Sequence, residues 1–226
     1  MSNIIKQKER GSLIIISGPS GCGKDTLVTK YLEDNDAWLS ISCTTRPMRP
    51  NDIEGVSYYF LSEEDFEEKI NNNYFLEYAS YNGNYYGTPK VNIEEKLKSG
   101  VDVILVIEVQ GALKIKEILP ETICIFIMPP SMEELANRLV GRKTESKDKI
   151  VERFRNAYKE INEFKKYNYV VVNDDLNNAV NKIKSIIISE KCRVDRIEEL
   201  YLNNPEEEIH ELLIDKDFVN QDIVVN

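Results

Sequence analysis

An α/β fold with a five-stranded parallel sheet flanked by helices is predicted for this chain by two observations. Short apolar, β-branched runs recur between helix-compatible stretches, and a glycine-rich octapeptide, Gly18-Pro19-Ser20-Gly21-Cys22-Gly23-Lys24-Asp25, follows the first of them directly. The runs occupy residues 13–17, 38–42, 101–107, 124–128 and 169–172. A stretch as uniformly apolar as Val103-Ile104-Leu105-Val106-Ile107 suits a strand covered on both faces, and the carboxyl ends of such a sheet form a ligand crevice.

The glycine-rich segment 18–25 has the form of a phosphate-binding loop (P-loop). Glycines let successive backbone N–H groups turn onto an anion, the following helix adds its positive N-terminal end, and Lys24 supplies a mobile cation. The pattern G-x-x-x-x-G-K is complete, which predicts a nucleoside triphosphate as ligand. The residue after the lysine is Asp25, where a Ser or Thr hydroxyl usually holds magnesium; Thr26 comes one position later. Asp25 has two readings: a magnesium ligand, directly or through water, or a carboxylate that favours the positive helix end.

The 226 residues, 42% of them hydrophobic, are enough for one sizeable core. No stretch reaches the apolar length of a membrane span and residues 1–12 lack the apolar centre of a secretory signal, so a soluble, cytoplasmic protein is expected, with no membrane partner. The four cysteines are scattered without metal spacing, and the single histidine is His210. The cysteines read as reduced small hydrophobes; a second reading makes Cys22 oxidation-sensitive, because it sits at a helix N-terminus. Of the net charge of −10, −7 falls in residues 196–226. No basic face emerges for nucleic acid, and the acidic segment 191–226 reads as a solubilising, partly helical extension.

Two segments interrupt the strand–helix alternation. Residues 44–89 are rich in Tyr, Asn, Gly and charge, with short strands expected around Tyr58-Tyr59-Phe60 and Tyr85-Tyr86 and a helix over 62–71. Residues 131–158 read as a charged helical hairpin with Gly141-Arg142 at its tip. A small mixed α/β substrate lobe and a helical lid have this appearance. In the first segment Arg46 and Arg49 offer planar forks for a phosphate monoester, with Tyr58 and Tyr86 as hydroxyl donors. Glu77, an acceptor when ionised, matches the adjacent N1–H and N2–H₂ donors of guanine, which adenine does not present. A buried site built on that pair discriminates by roughly 10⁴ or more.

The P-loop, Ser42-Cys43-Thr44-Thr45-Arg46-Pro47-Met48-Arg49, Phe75-Leu76-Glu77-Tyr78, Gly83-Asn84-Tyr85-Tyr86-Gly87-Thr88, Glu108-Val109-Gln110-Gly111 and Val171-Val172-Asn173-Asp174-Asp175 together resemble the guanylate kinase family, in order and spacing, over residues 11–190. The resemblance implies transfer of the γ-phosphoryl group of MgATP to GMP, and to dGMP, in purine nucleotide metabolism, by a monomer or homodimer. It places Ser42, Thr88 and Glu108 beside the guanine. Asp52, where the family usually has Glu, falls on the GMP side; Arg138, Arg142 and Arg153 lie over the transferred phosphate; Arg142 and Asn173 flank the adenine. Val106 stands where the family has an acidic residue that could organise magnesium. Two rivals stay open from the residues alone: a binding module that kept the pocket without catalysis, and a P-loop kinase for another phosphorylated acceptor.

Overall fold

The computed structural model describes residues 10–81, 83–140 and 147–196, with side chains of 147–150 excepted. Strand β1 (Leu13–Ser17) leads through the glycine-rich loop into α1 (Lys24–Asp34), followed by β2 (Trp38–Ser40). Then come β3 (Cys43–Thr44), β4 (Tyr59–Phe60), α2 (Glu63–Asn71), β5 (Phe75–Tyr81) and β6 (Asn84–Pro89). The chain returns through α3 (Val91–Lys98), β7 (Val103–Val106), α4 (Val109–Ile118) and β8 (Ile123–Met128). Helices α5 (Met132–Val140) and α6 (Lys147–Asn162), a short 3-10 turn, β9 (Tyr169–Val172) and α7 (Leu176–Glu190) complete the described elements.

Five strands form one parallel sheet in the order β2-β7-β1-β8-β9, which puts β1 and the loop after it at the centre. Every residue of β1 is buried because the alternate side chains enter different cores. Ile14 and Ile16 pack with Leu27, Val28 and Ile183 on one face, while Leu13 and Ile15 pack with Leu97, Ala112 and Phe126 on the other. Burial on both faces accounts for the apolar runs that lack a period of two.

The segment between β2 and α3 builds a second sheet, ordered β4-β3-β6-β5, with its own small core. Phe66 of α2 stacks on Phe75 of β5 with centroids 4.5 Å apart and on Tyr85 of β6 at 5.3 Å. Ser62 caps α2 by accepting from the Asp65 N–H at 3.0 Å, and Glu63, Glu64 and Asp65 favour its positive end. The run expected over 38–42 ends as a strand at Ser40, since Cys43 and Thr44 pair into this second sheet instead.

Helices α5 and α6 form the expected hairpin; its tip, 141–146, lies outside the described residues. Leu135 and Leu139 of α5 pack with Ala157 of α6. Residues 10–187 are one compact unit. The chain from Ile188 belongs to a second unit, in which Arg193 pairs with Asp195 at 3.0 Å and lies 3.8 Å from Glu190. The apolar spacing noted beyond residue 196 lies outside the described residues.

Candidate active site

The P-loop is held in place by close packing from beneath. Gly18 has φ 146° and a Cβ there would meet the Ile127 carbonyl oxygen of β8 at 2.4 Å; Gly23, with φ 92°, would meet Asn173 Nδ2 at 2.6 Å. Only glycine fits at either position. Asn173, expected beside adenine, is buried and donates its amide to the Cys22 carbonyl at 2.8 Å, bracing the loop at the end of β9.

Lys24 folds over the loop, its Nζ donating to the Gly18 carbonyl at 2.7 Å and more weakly to Pro19 at 3.4 Å. Glu108, the N-cap of α4, places Oε2 3.9 Å from that ammonium. Burial disfavours the lysine charge, but Glu108 foremost, with Cys22, Asp25 and Glu160, holds its pKa above the ordinary lysine value. Asp25 and Thr26 open α1 on the exposed side and line the cleft above.

Cys22 matches the reading of a reduced small hydrophobe rather than that of a sensitive thiol. It has no exposed surface, and burial foremost pushes its pKa up despite the neighbouring Lys24. The helix terminus is outweighed by desolvation, so the group is an inert part of the core.

The α5–α6 pair reaches the loop through two arginines. Arg153 of α6 is buried and donates from Nη2 to Ser20 Oγ at 2.6 Å. Arg138 of α5 donates from Nε to Glu134 Oε1 at 2.9 Å and from Nη1 to the Cys22 carbonyl at 3.4 Å, combining a helix-surface pair with a loop contact. Arg142 lies outside the described residues.

Across the cleft, Asp52 organises the arginine pair. Its Oδ2 accepts from Arg46 Nη2 at 2.9 Å and from the Arg49 backbone N–H at 2.7 Å. Burial works against the carboxylate, but the Arg49 N–H and the Arg46 guanidinium hold its pKa below the usual range. Arg46 also lies 5.4 Å from the ring centroid of Tyr58, which meets Tyr86 edge-on at 5.8 Å. Burial raises the Tyr58 pKa to about 12, keeping its hydroxyl a donor.

The small cavity at Glu77 is assembled from three elements. Glu77 on β5 pairs in register with Thr88 on β6, so the Thr88 hydroxyl donates to Oε1 at 2.8 Å. Oε2 is buried without a hydrogen-bond partner. Burial foremost raises the Glu77 pKa, opposed by Thr88 and Lys114. Gly111, in the first turns of α4, makes room for it: a Cβ there would fall 2.7 Å from Oε2. Ser42, Tyr58, Tyr86, Val106 and Glu108 line the same small cavity. Tyr81 also lines it and was missed by sequence reasoning, although a period of two along β5 places it on the face of Glu77 and Ala79. The pocket opens into a cleft of about 840 Å³ that also contains Lys24, Arg46, Arg49, Asp52 and Arg153.

A phosphate loop at the centre of a parallel sheet, a second basic site facing it across one cleft, and arginines on a helical hairpin define a P-loop phosphotransferase that brings two phosphorylated substrates together. The guanylate kinase family model matches residues 10–190. A guanylate kinase of Clostridium tetani is 56% identical over 207 residues, covering 92% of this chain and 100% of that protein. That of Clostridium acetobutylicum is 52% identical, covering 92% and 99%. The crystal structure of guanylate kinase from Anaplasma phagocytophilum superposes with a TM-score of 0.72 at 37% identity, covering 84% of this chain and 90% of that one. The chain belongs to the guanylate kinase family.

Proposed function

We propose that the protein transfers the γ-phosphoryl group of MgATP to GMP, and to dGMP, giving ADP and GDP in the cytoplasm. The observation that carries this reading is Glu77: a buried carboxylate with one oxygen satisfied by Thr88 and the other facing a cavity without a partner. Guanine supplies two adjacent donors for such an acceptor, and a base without them leaves a buried charge unpaired.

Positioning and charge do most of the work, because the acceptor phosphate is already a nucleophile and requires no dedicated base. Lys24 and the loop amides take the ATP phosphates. Arg46 and Arg49, pre-oriented by Asp52, take the GMP phosphate together with Tyr58 and Tyr86. Arg138 and Arg153 add positive charge from the lid side, and closure of the cleft keeps water from the γ-phosphate. Magnesium, bound with the ATP phosphates, neutralises charge on their oxygens. The carboxylates that would support it are Asp25, exposed to the cleft, and Glu108, whose Oε2 is buried without a hydrogen-bond partner. An Asp25→Asn variant with unchanged magnesium dependence removes Asp25 from that role.

The test is steady-state ADP formation from MgATP with GMP, AMP, CMP or UMP. Strong turnover with GMP alone is expected. Equal turnover with AMP, or none with any acceptor in folded protein, overturns the assignment.

A further inference from the structure

Arg46 is held by more than Asp52. Its Cζ lies 5.4 Å from the ring centroid of Tyr58 and 5.5 Å from that of Phe60, and the two centroids are 5.9 Å apart with the rings inclined at 68°. The guanidinium therefore rests in a corner made by two aromatic rings, within cation–π reach of each. Its Nη2 pairs with Asp52 Oδ2 at 2.9 Å and its Nη1 donates to the Pro47 carbonyl at 2.7 Å. A guanidinium carries five N–H donors, so the fork retains donors for an anion in the cleft that Arg46 lines. Strand pairing builds the corner. β3 and β4 run parallel with Thr44 opposite Phe60, and the chain leaving β3 carries Arg46 past the rings. Tyr58 and Phe60, two positions apart on extended chain, share one face, while Leu61 turns to the other and packs on the small core of Cys43, Phe66 and Phe75. Phe60 stands outside that core and lines neither the cleft nor the cavity at Glu77.

We propose that Phe60 is a positioning residue for the acceptor phosphate: acting through Arg46, it completes with Tyr58 an aromatic corner that fixes the guanidinium and keeps water from its faces. The inference rests on the reading that Arg46 binds the GMP phosphate. An arginine free to move gives up rotamer freedom when it grips an anion, and one already fixed gives up less. The Arg46 side chain is only 10% exposed, so its charge acts through a medium less screening than bulk water. Asp52 orients the fork at the cost of offsetting part of its charge. The rings hold the cation through their quadrupoles and bring no charge of their own, so the positive field offered to the phosphate is kept.

The experiment is calorimetric measurement of the Kd of GMP and of guanosine for the full chain, in wild type, Phe60→Leu, Phe60→Met and Phe60→Tyr, with thermal melts showing each folded. The two aliphatic variants keep an apolar side chain and lose the ring, and the second stands in where the first melts early. Both are expected to weaken GMP by about fivefold and to leave guanosine, which has no phosphate, within about twofold of wild type. Phe60→Tyr keeps the aromatic face and should bind GMP within about twofold of wild type, and the KM for ATP should stay unchanged in all three. Wild-type affinity for GMP in the aliphatic variants, an equal loss of GMP and guanosine, or a tyrosine variant no better than the leucine one overturns the proposal. A wild type that binds guanosine as tightly as GMP, or binds neither, overturns the phosphate-site reading as well, which separates that failure from the first.

Discussion

The two sites proposed for the substrates are built by different means. The P-loop is a contiguous backbone device, made by glycines whose missing side chains let β8 and Asn173 press against it, with Lys24 as its main charged side chain. The base pocket is a side-chain device, in which Glu77, Thr88 and Gly111 come from β5, β6 and α4 and mean little until the fold brings them together. The first solution binds phosphate whatever is attached to it. In the proposed function, the second obtains selectivity from one buried acceptor whose desolvation is offset only by the right donors.

This contrast predicts that loop and pocket variants fail differently. Lys24→Ala should have the largest effect, lowering kcat by about 10³-fold with every acceptor, because it removes charge needed in the transition state. Steady-state rates within tenfold of wild type would break the comparison at its first term. Glu77→Gln should lower kcat/KM for GMP by about 10²-fold, since an amide presents donors toward donors, while the KM for ATP stays within about twofold. Gly111→Ala sharpens the contrast further. Its Cβ, 2.7 Å from Glu77 Oε2, should raise the KM for GMP by about tenfold and cost about 1–3 kcal/mol in denaturant melts, without weakening ATP. Smallest is Glu134→Ala: loss of an i,i+4 pair on a helix surface should change kcat by about twofold and stability by about 0.5 kcal/mol, because Arg138 keeps its reach to the Cys22 carbonyl.

The same contrast explains what the sequence disclosed. The P-loop and the central strands were legible because each is local: glycine spacing marks the first, and two-sided burial makes Leu13–Ser17 and the other runs continuous. The second sheet was only partly legible. Cys43–Thr44 is too short and too close to Trp38–Ser40 to be told from its continuation, and β5 mixes Glu, Ser and Tyr because it faces a pocket. Glu77 stood out in the sequence because an ionised acceptor matches the donors of guanine and because Phe75-Leu76-Glu77-Tyr78 resembles a guanylate kinase motif, whereas its burial beside Thr88 came only with the fold. Gly111 as a space-maker for Glu77 and the reach of Arg153 to Ser20 depend on crossings between elements far apart in the chain, which no local pattern encodes.

The burial of Cys22 has an experimental use. Its sulfur is sealed within the loop proposed to receive ATP, whereas Cys192 is exposed. A thiol reagent should modify Cys192 at the rate of a solvent-accessible group and reach Cys22 only when the loop lifts from the core. Because Cys43 and Cys124 are buried too, alkylation followed at Cys22 itself by peptide mass mapping is the clock for loop opening, and bound nucleotide should slow it in proportion to its occupancy.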